Sequence, residues 1–197
     1  MLSFGAIIAG YLLGSINFSY LFGRWLKGID IREHGSGNAG ATNTLRVLGK
    51  GPAILVLILD ALKGVLAVYL AKWLGGIELI LVVSGLSAII GHNWPLFFGF
   101  RGGKGIATTI GVMATLCFLP TLFAGLLAIL LIVITRYVSL GSLLLTAILP
   151  FFIWGMGRPI EVFWVSIVIC LFAFLRHRKN IAKLLQGKEN KIGSKKA

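Results

Sequence analysis

Pro52-Ala53-Ile54-Leu55-Val56-Leu57-Ile58-Leu59-Asp60-Ala61-Leu62-Lys63-Gly64-Val65-Leu66-Ala67-Val68-Tyr69-Leu70-Ala71 decides the fold class. At 1.5 Å per residue, a helix of roughly 20 residues is about as long as the hydrocarbon of a bilayer is thick. The run is apolar on nearly every face, where a surface helix would show one apolar stripe, so it reads as a transmembrane helix. Its two charges, Asp60 and Lys63, lie three apart, the spacing that brings side chains together on a helix. Charges within a membrane are costly and pair with one another or line a polar cavity. Both a structural ion pair and a place in a substrate pocket fit these two residues.

Six more apolar runs flank this one, at residues 4–23, 77–91, 106–119, 121–135, 137–155 and 160–175. The composition agrees: 57% of residues are hydrophobic and 13% charged, against about 25% charged in a typical soluble chain. A soluble fold of this size cannot hide that much apolar surface, so lipid is part of its solvent. The expected fold is all-α: a polytopic integral membrane helix bundle of seven transmembrane helices, a single domain over residues 1–197 with a basic tail from about residue 176.

The runs at 106–119 and 121–135 are short and meet at Pro120, so they also fit one kinked helix. Charge decides between six spans and seven. With seven, the basic segments 24–50, 101–104, Arg136 and 176–196 share one side, and the nearly neutral turns share the other. The positive-inside rule then places the N-terminus outside and the C-terminus in the cytoplasm. The first run has no basic n-region ahead of it and is expected to be a retained span, not a cleaved signal peptide.

The net charge of +13 does not point to nucleic acid. Eight of the nineteen basic residues lie between Arg176 and Lys196, and most others sit in the breaks between apolar runs, as loops near anionic headgroups do. The end of the tail, 193–197, reads as solvated. Cys117 and Cys170 lie inside apolar runs without metal-ligand spacing. Ala6, Gly10 and Gly14 recur four apart, the spacing that lets membrane helices approach closely.

Three polar segments carry the chemistry, and this topology puts all three at the cytoplasmic face. The first is His34-Gly35-Ser36-Gly37-Asn38-Ala39-Gly40-Ala41-Thr42-Asn43-Thr44-Leu45-Arg46. Glycines let backbone N–H groups converge on an anion, and arginine grips phosphate with two bonds. A helix starting near Thr42 adds its dipole. The second is Gly91-His92-Asn93-Trp94-Pro95-Leu96-Phe97-Phe98-Gly99-Phe100-Arg101-Gly102-Gly103-Lys104-Gly105-Ile106-Ala107-Thr108. It is not a nucleotide P-loop, because Gly105 follows Lys104 where Ser or Thr is required and Phe98 stands in place of the leading glycine. It remains a glycine-rich anion cradle with a lysine, opening the fourth span. Its aromatics suit the membrane interface or an acyl-chain groove. The third is Arg176-His177-Arg178-Lys179-Asn180-Ile181, with Gly187-Lys188-Glu189 after it. His177 and Asn180, three apart, have the spacing to face one cavity.

Several schemes are absent. The polar segments hold no paired carboxylates of the glycosidase type and no Cys/His metal cluster, so no metal or cofactor is expected. Ala39, Phe97 and Ala182 stand five positions after His34, His92 and His177, so the His-x4-Asp motif of common glycerolipid acyltransferases is missing. The pattern reads as recognition of phosphate groups at a membrane face. A small organic-phosphate transporter and a non-catalytic lipid-headgroup binder share that reading, although a transporter usually places its site near the midplane between internal repeats.

In these segments the chain resembles the bacterial acyl-phosphate:glycerol-3-phosphate acyltransferases, the PlsY-type enzymes. The likeness rests on Ser36-Gly37-Asn38, Gly40-Ala41-Thr42-Asn43 and Arg46; on Gly91-His92, Pro95, Phe97, Phe100, Gly102-Gly103-Lys104-Gly105 and Ala107-Thr108; and on His177-Arg178, Asn180-Ile181, Gly187 and Glu189. The third motif is the loosest. The resemblance implies transfer of a fatty acyl group from acyl phosphate to the 1-hydroxyl of glycerol 3-phosphate, giving lysophosphatidate and inorganic phosphate, the first step of phospholipid synthesis, in a multi-pass protein of the bacterial inner membrane. Acyl phosphate, glycerol 3-phosphate and membrane lipid are the expected partners, nucleic acid is not one, and a monomer is expected. Under this resemblance Ser36, Asn38, Lys104 and His177 form the catalytic set. Gly37, Gly40, Thr42, Asn43, Arg46, His92, Gly102, Gly103, Gly105, Asn180, Lys188 and Glu189 form the binding set. Arg46 and Lys104 hold phosphate, Ser36, Asn38 and Thr42 orient the donor, and His177 and Asn180 place the acceptor. The base is left open between His177 and the departing phosphate.

Overall fold

A computed structural model describes residues 2–193. The described residues form helices and turns, with no strand among them. They fall into two compact units, Met1–Leu116 and Cys117–Ala197. The far end of the tail, 194–197, read above as solvated, lies outside the described residues.

The first unit holds α1 (Leu2–Ser15), α2 (Phe18–Lys27), α3 (Ala41–Leu48), α4 (Lys50–Trp73), α5 (Glu78–Asn93) and α6 (Ile106–Leu116). Short 3-10 turns at Ile31–Glu33 and Leu96–Phe98 shape its loops. The first apolar run is not one helix. Asn17 breaks it in an extended conformation and caps α2, its side chain accepting from the Tyr20 N–H at 3.0 Å.

Small residues line the close helix contacts, and many large ones face outward. Ala6, Ala67, Ala71 and Ala88 are fully buried, whereas Ile54, Ile58 and Leu66 on α4 are about half exposed or more, a pattern that only lipid can solvate. The spacing at Ala6, Gly10 and Gly14 is a packing seam as expected. A side chain on Gly14 would strike the Ala88 backbone, and one on Gly10 would strike Ser84 and Ser87 of α5. α4 and α6 approach as closely, with Gly64 against the Thr108 carbonyl and Gly111 against Ala61.

The second unit holds α7 (Phe118–Thr135), α8 (Val138–Gly155), α9 (Ile160–Arg176) and α10 (Arg178–Leu185). Arg136 ends α7 in the left-handed region, φ 64°, its N–H reaching the Ile132 carbonyl at 2.7 Å. The same residue anchors the tail: Ile192 N–H donates to the Arg136 carbonyl at 2.8 Å, and the guanidinium donates to the Ile192 carbonyl at 2.9 Å. α9 and α10 meet at His177 with a 62° bend.

Five segments are long and apolar enough to cross a membrane: Phe4–Lys27, Lys50–Trp73, Glu78–Phe98, Phe118–Thr135 and Val138–Gly155; α9 with α10 makes up to a sixth. This is fewer than the seven expected. The difference lies in α6, which has 11 residues and so rises about 16 Å, half the hydrocarbon thickness. Gly105, at φ 79°, fixes its start, and the chain leaves the helix at Cys117. The break expected at Pro120 therefore falls earlier, and Pro120 sits in the first turn of α7, where its missing N–H costs no helical bond.

The seam predicts a sharp contrast on one helix. Gly14→Leu is expected to lower stability by about 1–3 kcal/mol through overpacking, whereas Gly5→Leu, with open space around Gly5, stays near wild type; thermal unfolding in detergent measures both.

Candidate functional site

The first polar segment folds around Asn43. This residue is fully buried near the start of α3, and its amide is consumed by the loop before it. Its Oδ1 accepts from the Ser36 N–H at 2.7 Å and from the Ser36 hydroxyl at 3.1 Å. Its Nδ2 donates to the carbonyls of Ile31 and His34 at 3.1 and 3.0 Å. Asn43 was expected among the binding residues, but its hydrogen-bonding capacity is used up. It shapes the loop that presents Ser36 and Gly37, both exposed, and Asn38, half-buried. The helix begins where expected: Gly40 caps α3, and both Asn43 and Thr44 N–H groups return to its carbonyl at 3.0 Å. Thr42 and Arg46 lie one turn apart on α3, with Arg46 exposed.

The second segment begins at the end of α5. Tyr11 of α1 donates to the Trp94 carbonyl at 2.9 Å, and the Leu96 N–H reaches the Ser15 hydroxyl at 3.3 Å. The chain turns through left-handed Gly99 and Phe100 and folds back on its own origin, where the Gly103 N–H donates to the His92 carbonyl at 3.1 Å. Gly103 is glycine for a steric reason. A β-carbon there would collide with the His92 ring and lie 2.7 Å from the Ala39 carbonyl. Gly102 is equally confined, by Pro95 and by the carbonyls of His92 and Asn93. Lys104 is half-buried between Gly103 and Gly105, directly ahead of the α6 N-terminus, where the helix dipole favours an anion.

The two segments meet, and the residue that joins them escaped the sequence reading. Arg32 grips Asp30, at 2.7 Å from Oδ2, and donates across to the Phe98 carbonyl at 2.7 Å and the Arg101 carbonyl at 3.4 Å. Its guanidinium lies over the Tyr20 ring at 4.8 Å, and that ring packs on Phe98 at 4.9 Å. The Arg32 hydrogen bond holds the Asp30 carboxyl below its usual range, so Asp30 stays ionised and keeps the arginine in place. A lone Asp-x-Arg in a loop carries no such signal in sequence. The outcome in the first unit is a cationic rim in which Arg32 joins the loop of Arg101 and Lys104, with Arg46 exposed on α3, and Asp30 is already paired.

Beneath this rim lies a buried charged trio. Lys63 Nζ is 2.8 Å from Asp60 Oδ1, and His92 Nδ1 is 3.5 Å from the same oxygen, all three side chains being at most 4% exposed. Lys63 also donates to the Ile16 carbonyl at 2.8 Å, at the break between α1 and α2. The two readings of Asp60 and Lys63 thus resolve toward an ion pair, one whose carboxylate also faces His92.

The third segment belongs to the second unit. His177 is buried at the α9–α10 bend, with Nδ1 2.8 Å from the Ala173 carbonyl. A carbonyl only accepts, so Nδ1 carries the proton and a neutral ring has its lone pair on Nε2. Asn180 Nδ2 donates to Glu189 Oε1 at 2.8 Å, which brings two expected site residues together. Glu189 is buried, and its Oε2 has no hydrogen-bond partner. Lys188 is exposed. Among the described residues no group of acidic, His or Cys side chains could hold a metal ion.

Comparison with known proteins identifies the family. A family model described as glycerol-3-phosphate acyltransferase matches residues 4–187. A glycerol-3-phosphate acyltransferase of Shouchella clausii is 54% identical over 97% of this chain and 96% of its own length. One from Halalkalibacterium halodurans is also 54% identical, over 96% and 95%. Among solved structures, the integral membrane glycerol 3-phosphate acyltransferase PlsY in a glycerol 3-phosphate form superposes with a TM-score of 0.92 at 42% identity, covering 97% of this chain and 96% of the other. A lysophosphatidic acid form gives 0.89 at 41% identity, over 97% and 95%. In sequence and in fold, this chain is an integral membrane protein that belongs to the glycerol-3-phosphate acyltransferase family.

Proposed function

We propose that this protein transfers a fatty acyl group from acyl phosphate to the 1-hydroxyl of glycerol 3-phosphate, giving lysophosphatidate and inorganic phosphate, as the first step of phospholipid synthesis. The observation that carries this reading is the joining of two glycine-rich, cationic loops within one unit by Arg32 and by the Gly103–Ala39 approach. Two loops suit a reaction in which donor and acceptor each bear a phosphate. The solved relatives in glycerol 3-phosphate and lysophosphatidic acid forms match the acceptor and the product of such a transfer.

The chemistry needs little beyond positioning and charge. The glycerol oxygen attacks the acyl carbon, the bond from that carbon to the bridging phosphate oxygen breaks, and phosphate leaves with the electron pair. The hydroxyl proton goes to the departing phosphate or to His177, whose Nε2 carries the acceptor lone pair. A mixed anhydride already has a good leaving group, so fixed cations and N–H donors suffice without a protein nucleophile. In this reading Lys104 and Arg46 hold phosphate with N–H donors from the 38–40 and 104–105 backbones, since the Ser36, Gly37 and Gly103 N–H groups close their own loops. Ser36, Asn38 and Thr42 orient the donor, His177 and Asn180 place the acceptor, and Lys188 and Glu189 complete the binding set.

We further propose that the whole chain is one acyltransferase domain, acts as a monomer and crosses the bacterial inner membrane seven times, N-terminus outside, with α6 as a short crossing and the three motifs in the cytoplasm. The basic segments support this orientation. A short crossing is accommodated by local thinning or by burial in the bundle, and α6 is closely packed on α4.

Purified protein given acyl phosphate and glycerol 3-phosphate is expected to release inorganic phosphate only when both are present. A transporter or a headgroup binder releases none, and an acyl group trapped on Ser36 excludes direct transfer. Lys104→Ala should lower kcat/KM by about 100-fold or more while the protein stays folded, as removal of a charge-stabilising donor does; near-normal turnover removes Lys104 from the site. Single cysteines at exposed positions 36 and 188 should react with an impermeant maleimide in inverted vesicles, and cysteines at 72 and 158 in intact cells. Labelling of 36 and 188 from opposite faces overturns the topology.

A further inference from the structure

The acyl-transfer chemistry above makes no use of Asp60, a carboxylate buried in a transmembrane helix, and its surroundings suggest a use. Asp60 stands between two partners, Lys63 at 2.8 Å and His92 at 3.5 Å. The His92 ring in turn stands between Asp60 and the rim. Its Nδ1 faces the carboxylate, while its Nε2 edge lies against Gly103, so closely that no side chain fits there. The same gap is bounded by the Ala39 carbonyl, so one imidazole braces the loop that ends at Gly40 and the loop that presents Lys104. The brace is held from both ends. The His92 carbonyl accepts the Gly103 N–H at 3.1 Å, and Lys63 ties the carboxylate to the Ile16 carbonyl where α1 breaks.

We propose that Asp60 is a positioning residue of the acyl-transfer site: acting through His92, it sets the spacing between the 36–40 and 102–105 backbones, and Lys63 holds the carboxylate in place. This rests on the reading of those two loops as phosphate cradles. A carboxylate suits the task for two reasons. It compensates the Lys63 ammonium, which hydrocarbon does not solvate, and it favours the His92 tautomer with the proton on Nδ1, which fixes the ring's orientation as partners behind other functional histidines do.

The test is a cycle of Asp60→Asn, His92→Gln and the double variant, assayed for acyl transfer and, separately, for binding of inorganic phosphate by calorimetry. Each single variant is expected to raise KM for the phosphate substrates and to weaken phosphate binding by about 10-fold or more, the loss typical when an orienting partner is removed. The double variant is expected to match the singles, because Asp60 acts through His92. Losses that multiply overturn the proposal. Asp60→Leu combined with Lys63→Met removes the buried pair altogether and should recover thermal stability while phosphate binding stays weak. Full recovery of phosphate binding in that variant shows a purely structural ion pair and overturns the proposal. A wild type that binds phosphate but transfers no acyl group refutes the enzymatic reading alone, since the calorimetric cycle still measures the brace. A wild type that binds no phosphate overturns both.

Discussion

Hydrocarbon solvates no charge, and this one fact governs how the first unit is built. Lys63 lies in the fourth turn of a 24-residue transmembrane helix and must find its partners within the protein. It takes two: the Asp60 carboxylate one turn away and the Ile16 carbonyl, which is available because α1 stops there. The break in α1 and the buried charge therefore complement each other. Where the chain leaves α1, the freed carbonyl accepts from the ammonium, and Asn17 caps the helix that restarts. α1, α4 and α5 are thus joined by polar contacts as well as by their apolar faces, directly below the loops that carry the cations.

Glycine serves two ends in this bundle. Within the membrane it lets helices meet backbone to backbone, as Gly14 does against Ala88 and Gly111 against Ala61. Lipid tails are as apolar as leucine, so close packing rather than burial from water has to hold such helices together. At the rim, Gly103 admits the His92 ring and the Ala39 carbonyl at one point. The same lack of a side chain tightens the scaffold and brings the two polar loops into contact.

Much of this is legible in the amino-acid order, and what is not has a physical cause. The apolar runs, the Ala6-Gly10-Gly14 seam and the helix start near Thr42 follow from length, spacing and local chemistry. The break at Asn17 is hidden because an isolated Asn in an apolar run is compatible with an unbroken membrane helix; only its capping bond to Tyr20 reveals the break. Pro120 suggests a kink, yet proline is tolerated in a first helical turn, and the chain breaks at Cys117 instead. Asn43 has the composition of a binding residue and is spent on its own loop. Arg32 has the look of a solvated loop charge and joins two segments more than sixty residues apart. Each of these depends on a contact distant in sequence, which neither periodicity nor spacing records.

The proposed reaction calls for an amphipathic phosphate, and the rim offers a gradient to match. The loop that ends in Gly103, Lys104 and Gly105 begins with Leu96, Phe97 and Phe100, all largely exposed, so within about ten residues it passes from an apolar border to a cationic cradle. A substrate with a long tail and a charged head meets that gradient in its own order, tail toward lipid and phosphate toward the glycines. The proposed donor and acceptor are both anions and repel each other, so each ångström by which the two loops drift apart reduces the effective concentration of one reactant about the other. The bonds from Arg32 to the opposite loop and the His92 wedge at Gly103 oppose that drift. For the proposed reaction, whose leaving group is already activated, this rigidity is the main thing a protein has left to contribute.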